Sequence, residues 1–459
     1  MDKCYKLLVN SLFIILTMLF TLPCKTEDSR LYVYGKGIAG DFDNPILELK
    51  YPEIVWEGND VTGFDSARDM AFEIQTGNQE FDLFAIGYAN GGFDFLAQKG
   101  FCLDLSESEA LLNQVKRMHP YLQDAVFREG KLFGVPISVD ASGWEYDVEN
   151  CKSVGLDVDK IPKTYDELFD LLEWWLDEGY DLNPEYAFFL DATQSRERLV
   201  NSIVYRYVEY CQQKQIPLRF DNELFYHVMR RLDQIDTDLL DEQISAHTDG
   251  LAYGDNALFK TQRNYLDFYM QHGKESKPMP LSFDDEQADI SAEIRLFIIN
   301  PQSTHIPEAI QYLLCFLDGL DAEKKIILFR DYEEPIENPN YEAEMKEAQA
   351  FLSAAQSRLA LCDNDAQAAQ IMEDVDMLKR GVEQIENNRW YVTKDNIRAY
   401  KDMVPYMFVR EQNIMERNFT DGQLEIRDTI TQYARREITL ENFIKKANDV
   451  VFMIEAEDI

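Results

Sequence analysis

The chain has few of the side chains that metal centres use. Its 459 residues contain only seven cysteines and five histidines, with no Cys-x-x-Cys pair and no Cys/His cluster. This spacing excludes an ordinary zinc site and predicts no metal and no cofactor. Beyond residue 24 the cysteines lie far apart, mostly among apolar neighbours, at Cys102, Cys151, Cys211, Cys315 and Cys362. They are expected to be small core residues, and whether one disulfide forms stays open.

Catalytic motifs are also missing. No G-x-S-x-G, H-E-x-x-H or P-loop occurs, and the five histidines are scattered. A glycosidase needs two carboxylates at a defined separation, and none of the 84 acidic residues stands out as such a pair by its spacing. The sequence therefore predicts no enzyme.

Positive charge is scarce. The chain has 45 Lys and Arg against 84 Asp and Glu, a formal net charge of −39. Such a surface repels nucleic acid and anionic lipid, and it suits a neutral or cationic small ligand. An apolar content of 46%, with 28 Phe and 24 Tyr, excludes a disordered chain.

The first 24 residues have the layout of a secretory signal. Lys3 and Lys6 precede a nearly apolar run over 7–22, and polar sequence resumes after Pro23. The run is short for a membrane anchor, which is the alternative. Cys24 follows directly and is a candidate for lipid attachment, although Pro23 departs from the small residue expected there. Lipidation and simple cleavage both stay open.

Strands and helices alternate in the next part of the chain. Apolar runs at 31–34, 53–57 and 81–86 predict strands, separated by helix signals such as Pro45. This rhythm predicts a parallel sheet covered by helices. Two capping boxes, Ser106 with Glu109 and Thr164 with Glu167, predict further helix starts.

The pattern of apolar residues changes after about residue 337. Apolar residues recur at helical spacing over 341–360, a turn follows at 362–365, and 366–386 is helical again. These features predict a helical hairpin, followed by helices at 394–415, 422–434 and 440–453.

One glycine motif invites a nucleotide-binding interpretation. Gly35 to Gly40 reads G-x-G-x-x-G, and Glu57 lies 20 residues beyond Gly37. However, Asp41 to Pro45 separates the third glycine from the next helix, so a glycine turn at the sheet edge is the better interpretation. Such edges bind ligands in open α/β sheets.

Aromatic and acidic residues near turns are the candidate ligand contacts. Aromatic rings stack on sugar faces, and carboxylates accept bonds from hydroxyl groups. The alternative is that the aromatics are core residues. The predicted ligand-binding residues are Gly37, Asp41, Asp43, Tyr88, Asn90, Asp140, Trp144 and Tyr146.

The order of several short motifs resembles a known family, the extracellular solute-binding proteins of ABC importers, which include sugar-binding lipoproteins. The motifs span about 31–320. They are KYPEIV at 50–55, FDLF at 81–84, GFCLDL at 100–105, GKLFGVP at 130–136, IPKTYDEL at 161–168 and PEAIQYLL at 307–314.

The resemblance implies an α/β fold of two lobes joined by hinge strands, the periplasmic-binding-protein-like fold. The expected first lobe holds 31–138 and 294–325, and the second holds 139–293. The chain is expected to cross between them near 138–146 and 284–294. The helical region 326–459 is expected to pack mainly on the second lobe.

The resemblance also implies a function: capture of a polar solute, a carbohydrate, by lobe closure without chemistry. The implied partners are this solute and the transmembrane subunits of a permease, with a monomeric, extracytoplasmic protein that is secreted, periplasmic or, if Cys24 is lipidated, membrane-anchored. Two alternatives stay open, a non-transport receptor or scaffold with the same fold and an exported carbohydrate-active enzyme.

Overall fold

A computed structural model describes most of the chain beyond residue 29, and the predicted signal segment lies outside it. The described residues are 30–35, 45–58, 71–72, 74–77, 81–89, 92–141, 143–189, 194–245, 256–262, 276–284, 286, 288–362, 364–411 and 421–457.

The first lobe is built around a mixed sheet. Its strands are β1 (Arg30–Tyr34), β2 (Val55–Gly58), β3 (Leu83–Gly87), β6 (Val135–Ala141), β11 (Ile290–Ile299) and β14 (Met407–Val409). Its helices are α1 (Pro45–Lys50), α2 (Phe93–Gln98), α3 (Glu109–Arg117), α4 (Pro120–Val126), α11 (Ile306–Gly319), α12 (Ala322–Leu328) and α15 (Lys394–Met403). A short hairpin joins β4 (Phe127–Arg128) to β5 (Lys131–Leu132).

β1 pairs in parallel with both β2 and β3, as the strand–helix rhythm predicts. β11 is the long central strand, antiparallel to β3 on one edge and to β6 on the other. Most residues of β3 and β11 are buried, as expected for central strands of a sheet that is covered on both faces.

The second lobe has its own sheet, in the order β10-β7-β9-β8. These strands are β7 (Gly143–Asp147), β8 (Ala187–Phe189), β9 (Ala257–Gln262) and β10 (Ser276–Pro278). The helices around it are α5 (Val148–Ser153), α6 (Tyr165–Trp174), α7 (Tyr180–Leu182), α8 (Ser195–Gln213), α9 (Glu223–Gln234), α10 (Thr237–Ser245), α16 (Asp421–Ala434) and α17 (Leu440–Glu457).

The predicted helical hairpin is confirmed. It consists of α13 (Tyr341–Ala360) and α14 (Asp365–Asn387), which pack against each other. At its base β12 (Ile336–Glu337) pairs antiparallel with β13 (Trp390–Val392). Arg389 Nε donates to Glu337 Oε1 at 2.8 Å across this base.

Each lobe has a separate hydrophobic core. The first core draws on 31–141, 290–329 and 392–407, and the second on 144–283 and 426–454. The C-terminal region, expected to pack mainly on the second lobe, therefore contributes to both cores. The chain crosses between the lobes at three places: between β6 and β7, between β10 and β11, and between β14 and α16.

Several local predictions were wrong. α3 begins at Glu109 with Ser108 as its N-cap, because the Ser106 hydroxyl instead accepts from the Leu132 amide at 2.9 Å. The helix predicted over 394–415 ends at Met403, since Pro405 interrupts it and β14 joins the sheet. The capping box of Thr164 and Glu167 is confirmed.

Candidate functional site

Two strands of the first lobe meet end to end along one edge of β11. β3 runs antiparallel to β11 and ends where the Tyr88 amide donates to the Ile294 carbonyl at 2.8 Å. β14 runs parallel to β11 and ends where the Arg410 amide donates to the Ala292 carbonyl at 2.9 Å. The carboxyl ends of both strands therefore converge on the middle of β11, beside the third crossing.

The first crossing reaches the same place from the other edge of β11. Asp140 of β6 lies opposite Glu293 in the antiparallel register. Its carboxylate is 3.7 Å from the guanidinium of Arg295, and both side chains are a little under half exposed. Arg410 Nη2 donates to Glu293 Oε2 at 3.0 Å. We call Asp140, Glu293, Arg295 and Arg410 the crossing cluster.

A buried carboxylate ties this cluster to the second lobe. Glu209 of α8 is 6% exposed and accepts from Arg206 at 2.5 Å and from the Ser291 hydroxyl at 2.7 Å. Arg410 approaches the same carboxylate at 3.4 Å. Arg206 also donates to the Asp289 carbonyl at 2.5 Å. Through these bonds α8 is linked to the start of β11 and to the end of β14, where the second and third crossings meet the first lobe.

Tyr88 lies beside the same region, 5% exposed, with its ring packed against Phe93 at 5.5 Å. Its hydroxyl donates to Asp94 at 2.9 Å and accepts from Arg128 at 2.7 Å. Burial, reinforced by the Asp94 carboxylate, raises the pKa of Tyr88 well above its usual range. Burial also disfavours the charge on Arg128, but its bonds to Asp94 and Tyr88 outweigh this and raise the pKa of Arg128. The three side chains thus form a fixed polar group.

The structure places two of the eight predicted site residues at this junction, Tyr88 and Asp140. Trp144 and Tyr146 instead belong to the second core, 4% and 8% exposed. The Trp144 indole packs on Phe189 at 5.1 Å and donates to the Ser202 hydroxyl at 2.8 Å. Because its faces are covered, it offers no stacking surface in this conformation.

The other four predicted residues lie outside the described residues. They are Gly37, Asp41, Asp43 and Asn90. Their role in ligand binding stays a prediction.

Sequence reasoning missed Glu293, Arg295, Arg410 and Glu209. A signal for the first two was present in the run ISAEIRLFII, where Glu and Arg alternate with apolar residues in an otherwise buried strand. A charged residue at alternate positions of such a strand indicates a face that opens to polar surroundings. No local sequence signal indicates that Glu209 and Arg410 contact residues of β11.

Among the described residues, a serine, a histidine and an aspartate come together near β3, but in an order that does not suit nucleophilic catalysis. The Ser303 hydroxyl donates to Asp82 at 2.6 Å, and His305 Nδ1 lies 3.3 Å from the same carboxylate oxygen. Here Asp82 stands between serine and histidine, whereas activation of a serine requires the histidine to contact it. This buried carboxylate also accepts from the Tyr32 amide at 2.9 Å, which indicates a role in bracing the sheet.

Within the described ranges, no group of three or more His, Cys, Asp or Glu side chains is placed to hold a metal ion. The five cysteines beyond residue 24 are free thiols in the structure, and four of them are buried. Burial raises the pKa of the Cys102 thiol to about 12.

No family model matches the chain, and no curated protein matches it. Solved structures do. The sugar-binding protein MalE of Xanthomonas citri is 13% identical, with a TM-score of 0.55, covering 94% of this chain and 97% of that one. Maltose-bound MalE3 of T. maritima is 15% identical, with a TM-score of 0.53 and coverage of 92% and 99%.

An ABC substrate-binding protein of Listeria monocytogenes in complex with cycloalternan has a TM-score of 0.53 at 12% identity, over 93% and 98% of the two chains. The chain therefore has the two-lobed, periplasmic-binding fold of sugar-binding ABC solute-binding proteins. At these identities the likeness establishes the fold. Among the described helices, none combines the length and apolar character needed to span a membrane.

Proposed function

We propose that this protein captures a carbohydrate between its two lobes and delivers it to an ABC permease, without chemical transformation. The observation that carries this proposal is the crossing cluster. It collects donors and acceptors on the strands that join the lobes, in a fold that sugar-binding and substrate-binding proteins also have. In such a fold a solute held between the lobes stabilises the closed arrangement.

The charges of the cluster favour an uncharged, polyhydroxylated solute. Asp140 and Glu293 are balanced by Arg295 and Arg410, and the Asp140–Arg295 pair keeps about half of its surface accessible. Carboxylates accept hydroxyl protons and guanidinium groups donate to hydroxyl oxygens, so a sugar can use both. A charged solute would find its own charge repelled by half of the cluster.

The remaining parts of the proposal concern location and partners. A cleaved signal over residues 1–24 would place the protein outside the cytoplasm, and a lipid on Cys24 would anchor it at the membrane. The permease would recognise the closed monomer. The predicted loop residues Gly37, Asp41, Asp43 and Asn90 would complete the binding wall next to Tyr88.

A thermal-shift screen with mono- and oligosaccharides, amino acids and peptides tests the proposal. A ligand present at about 100 times its dissociation constant adds about 2.7 kcal/mol to the free energy of unfolding. We expect a neutral sugar to raise the melting temperature, and Asp140→Asn to weaken its binding about tenfold by removing a charged acceptor. Asp395→Asn, in an exposed pair with Arg398 outside the site, is the matched control.

Stabilisation by amino acids or peptides alone would contradict the carbohydrate assignment. Unchanged sugar affinity in Asp140→Asn would contradict the placement of the site at the crossing cluster.

A further inference from the structure

A cavity of about 440 Å³ lies between the second lobe and the connection that forms the second crossing. Its walls come from Tyr146 of β7, from the segment 158–164 that precedes α6, and from residues 278–280, Glu286 and Ala288, which precede β11. The volume falls within the usual range for sites that bind small molecules. No residue of the crossing cluster lines it.

The walls of this cavity are held in place by hydrogen bonds. The Ser282 amide donates to the Lys163 carbonyl at 2.8 Å, and the Tyr165 amide donates to the Ser282 carbonyl at 3.1 Å. Glu167 Oε2 accepts from the Lys163 amide at 2.6 Å, within the capping box of α6. The cavity is thus formed before any ligand enters, which lowers the entropic cost of binding.

Apolar groups form one part of the cavity lining, and polar groups form the rest. Pro162 and Met279 are buried, and Pro278 and Pro280 are partly exposed beside Tyr146. Proline fixes its own backbone torsion, so these surfaces are rigid as well as apolar. They suit an apolar ring or a short apolar chain.

The rim of the cavity is acidic. Three carboxylates line the cavity, those of Asp159, Glu167 and Glu286. The lining contains one ammonium group, that of Lys163. Glu286 is also paired with Lys214 at 2.5 Å, outside the lining. The excess of carboxylates favours a ligand that carries a positive charge at the mouth while its apolar part enters the cavity.

We propose that this cavity is a second ligand site, which binds a small organic cation with an apolar ring, such as a primary arylalkylamine. It differs from the crossing cluster in both place and charge, since the cluster balances its charges and the cavity rim does not. Occupancy of the cavity does not require a solute between the lobes.

Calorimetry with three probes of one shape tests the charge preference. Tyramine is a cation, 4-ethylphenol lacks its amine, and 3-(4-hydroxyphenyl)propionate is an anion. At about 0.15 M salt, where the Debye length is about 8 Å, we expect tyramine to bind about tenfold more tightly than 4-ethylphenol and the anion to bind least. Absence of tyramine binding at millimolar concentration, or equal affinity for all three, would overturn the proposal.

Two variants distinguish binding in the cavity from attraction by the overall negative charge of the protein. Asp159→Lys reverses one exposed rim charge, and the backbone amide of residue 159, which donates to Asp157, is retained. We expect it to weaken tyramine about tenfold and to strengthen the anionic probe. Asp181→Lys makes the same charge change at an exposed position outside the lining and should alter tyramine affinity less than about twofold. Equal effects of the two variants would contradict the site.

Asp140→Asn provides the last control. It should leave tyramine affinity unchanged, because Asp140 belongs to the crossing cluster. If Asp140→Asn and Asp159→Lys weakened tyramine equally, the amine would be bound between the lobes, and the second site would be refuted.

Discussion

At the scale of single residues, a buried histidine affects how the stability of this chain depends on pH. His119, just before α4, is 2% exposed, and its ring lies 3.3 Å from the Ile326 carbonyl. Burial lowers its pKa to about 4, although the bond to Ile326 opposes the shift. The folded protein therefore holds this histidine neutral where the unfolded chain would protonate it.

His119 should make stability depend on pH. Its unfolded pKa is about 6.5, above the folded value, so the unfolded chain binds more protons between the two values. The free energy of unfolding should fall as pH decreases from about 6.5 to 4, by up to about 3 kcal/mol. In His119→Gln this part of the pH dependence of the free energy of unfolding should disappear. Urea titrations at several pH values measure it. An identical slope in both proteins would contradict the assignment.

Trp144 should act on stability rather than on affinity. Because the indole is buried against Phe189, Trp144→Ala should cost about 3–5 kcal/mol of unfolding free energy. Trp144→Phe should keep most of the packing and change sugar affinity less than about twofold, as measured by calorimetry. A tenfold loss of affinity in Trp144→Phe without loss of stability would instead identify Trp144 as a stacking residue.

The positions of these residues were not equally predictable from the sequence. The position of Asp140 at the junction was predictable, because it lies at the end of a strand that leads into the other lobe; its role in binding stays a prediction. Trp144 was misleading, since an aromatic residue beside a turn reads the same whether its ring faces a ligand or the core. Arg410 and Glu209 become neighbours only through the tertiary fold, at a sequence separation that no local pattern spans.

At the scale of elements, the hairpin α13–α14 is the most independent unit. Few of its side chains are buried, among them Met345, Ala355 and Val375. Its two helices pack mainly on each other, and the β12–β13 pair fixes its base. Its bounds were predictable because amphipathic spacing, a turn and a second amphipathic run are all local signals.

Deletion of 341–386, with a short Gly/Ser link in its place, should leave both lobes folded. The unfolding transition should stay cooperative, and sugar affinity should change less than about twofold, since the hairpin contributes nothing to the crossing cluster. Circular dichroism and calorimetry measure the two quantities. Loss of sugar binding in a folded deletion variant would mean that the hairpin forms part of the site.

β14 shows where local signals fail. Its three residues follow a helix. From helix propensity alone, that helix was predicted to extend to residue 415. The strand exists because β11 offers a free edge next to the end of β3, so a tertiary contact overrides the local preference.

At the scale of the whole molecule, the lobes are joined by three crossings, two of which are tied to α8 by Glu209. Removal of one partner from a buried charge network leaves the others uncompensated. Glu209→Gln should therefore cost about 3–5 kcal/mol in urea unfolding. Glu455→Gln, which breaks an exposed pair with Arg219, should cost less than about 1 kcal/mol. Equal costs would mean that Glu209 is no more important than a surface charge.

The central claim is that a carbohydrate closes the two lobes on each other at the crossing cluster. Small-angle X-ray scattering of the protein, with and without the sugar selected by the thermal screen, tests it most directly. We expect a smaller radius of gyration at saturating sugar, and the same decrease in Asp140→Asn only at about tenfold higher sugar concentration. An unchanged radius of gyration with sugar demonstrably bound would contradict it.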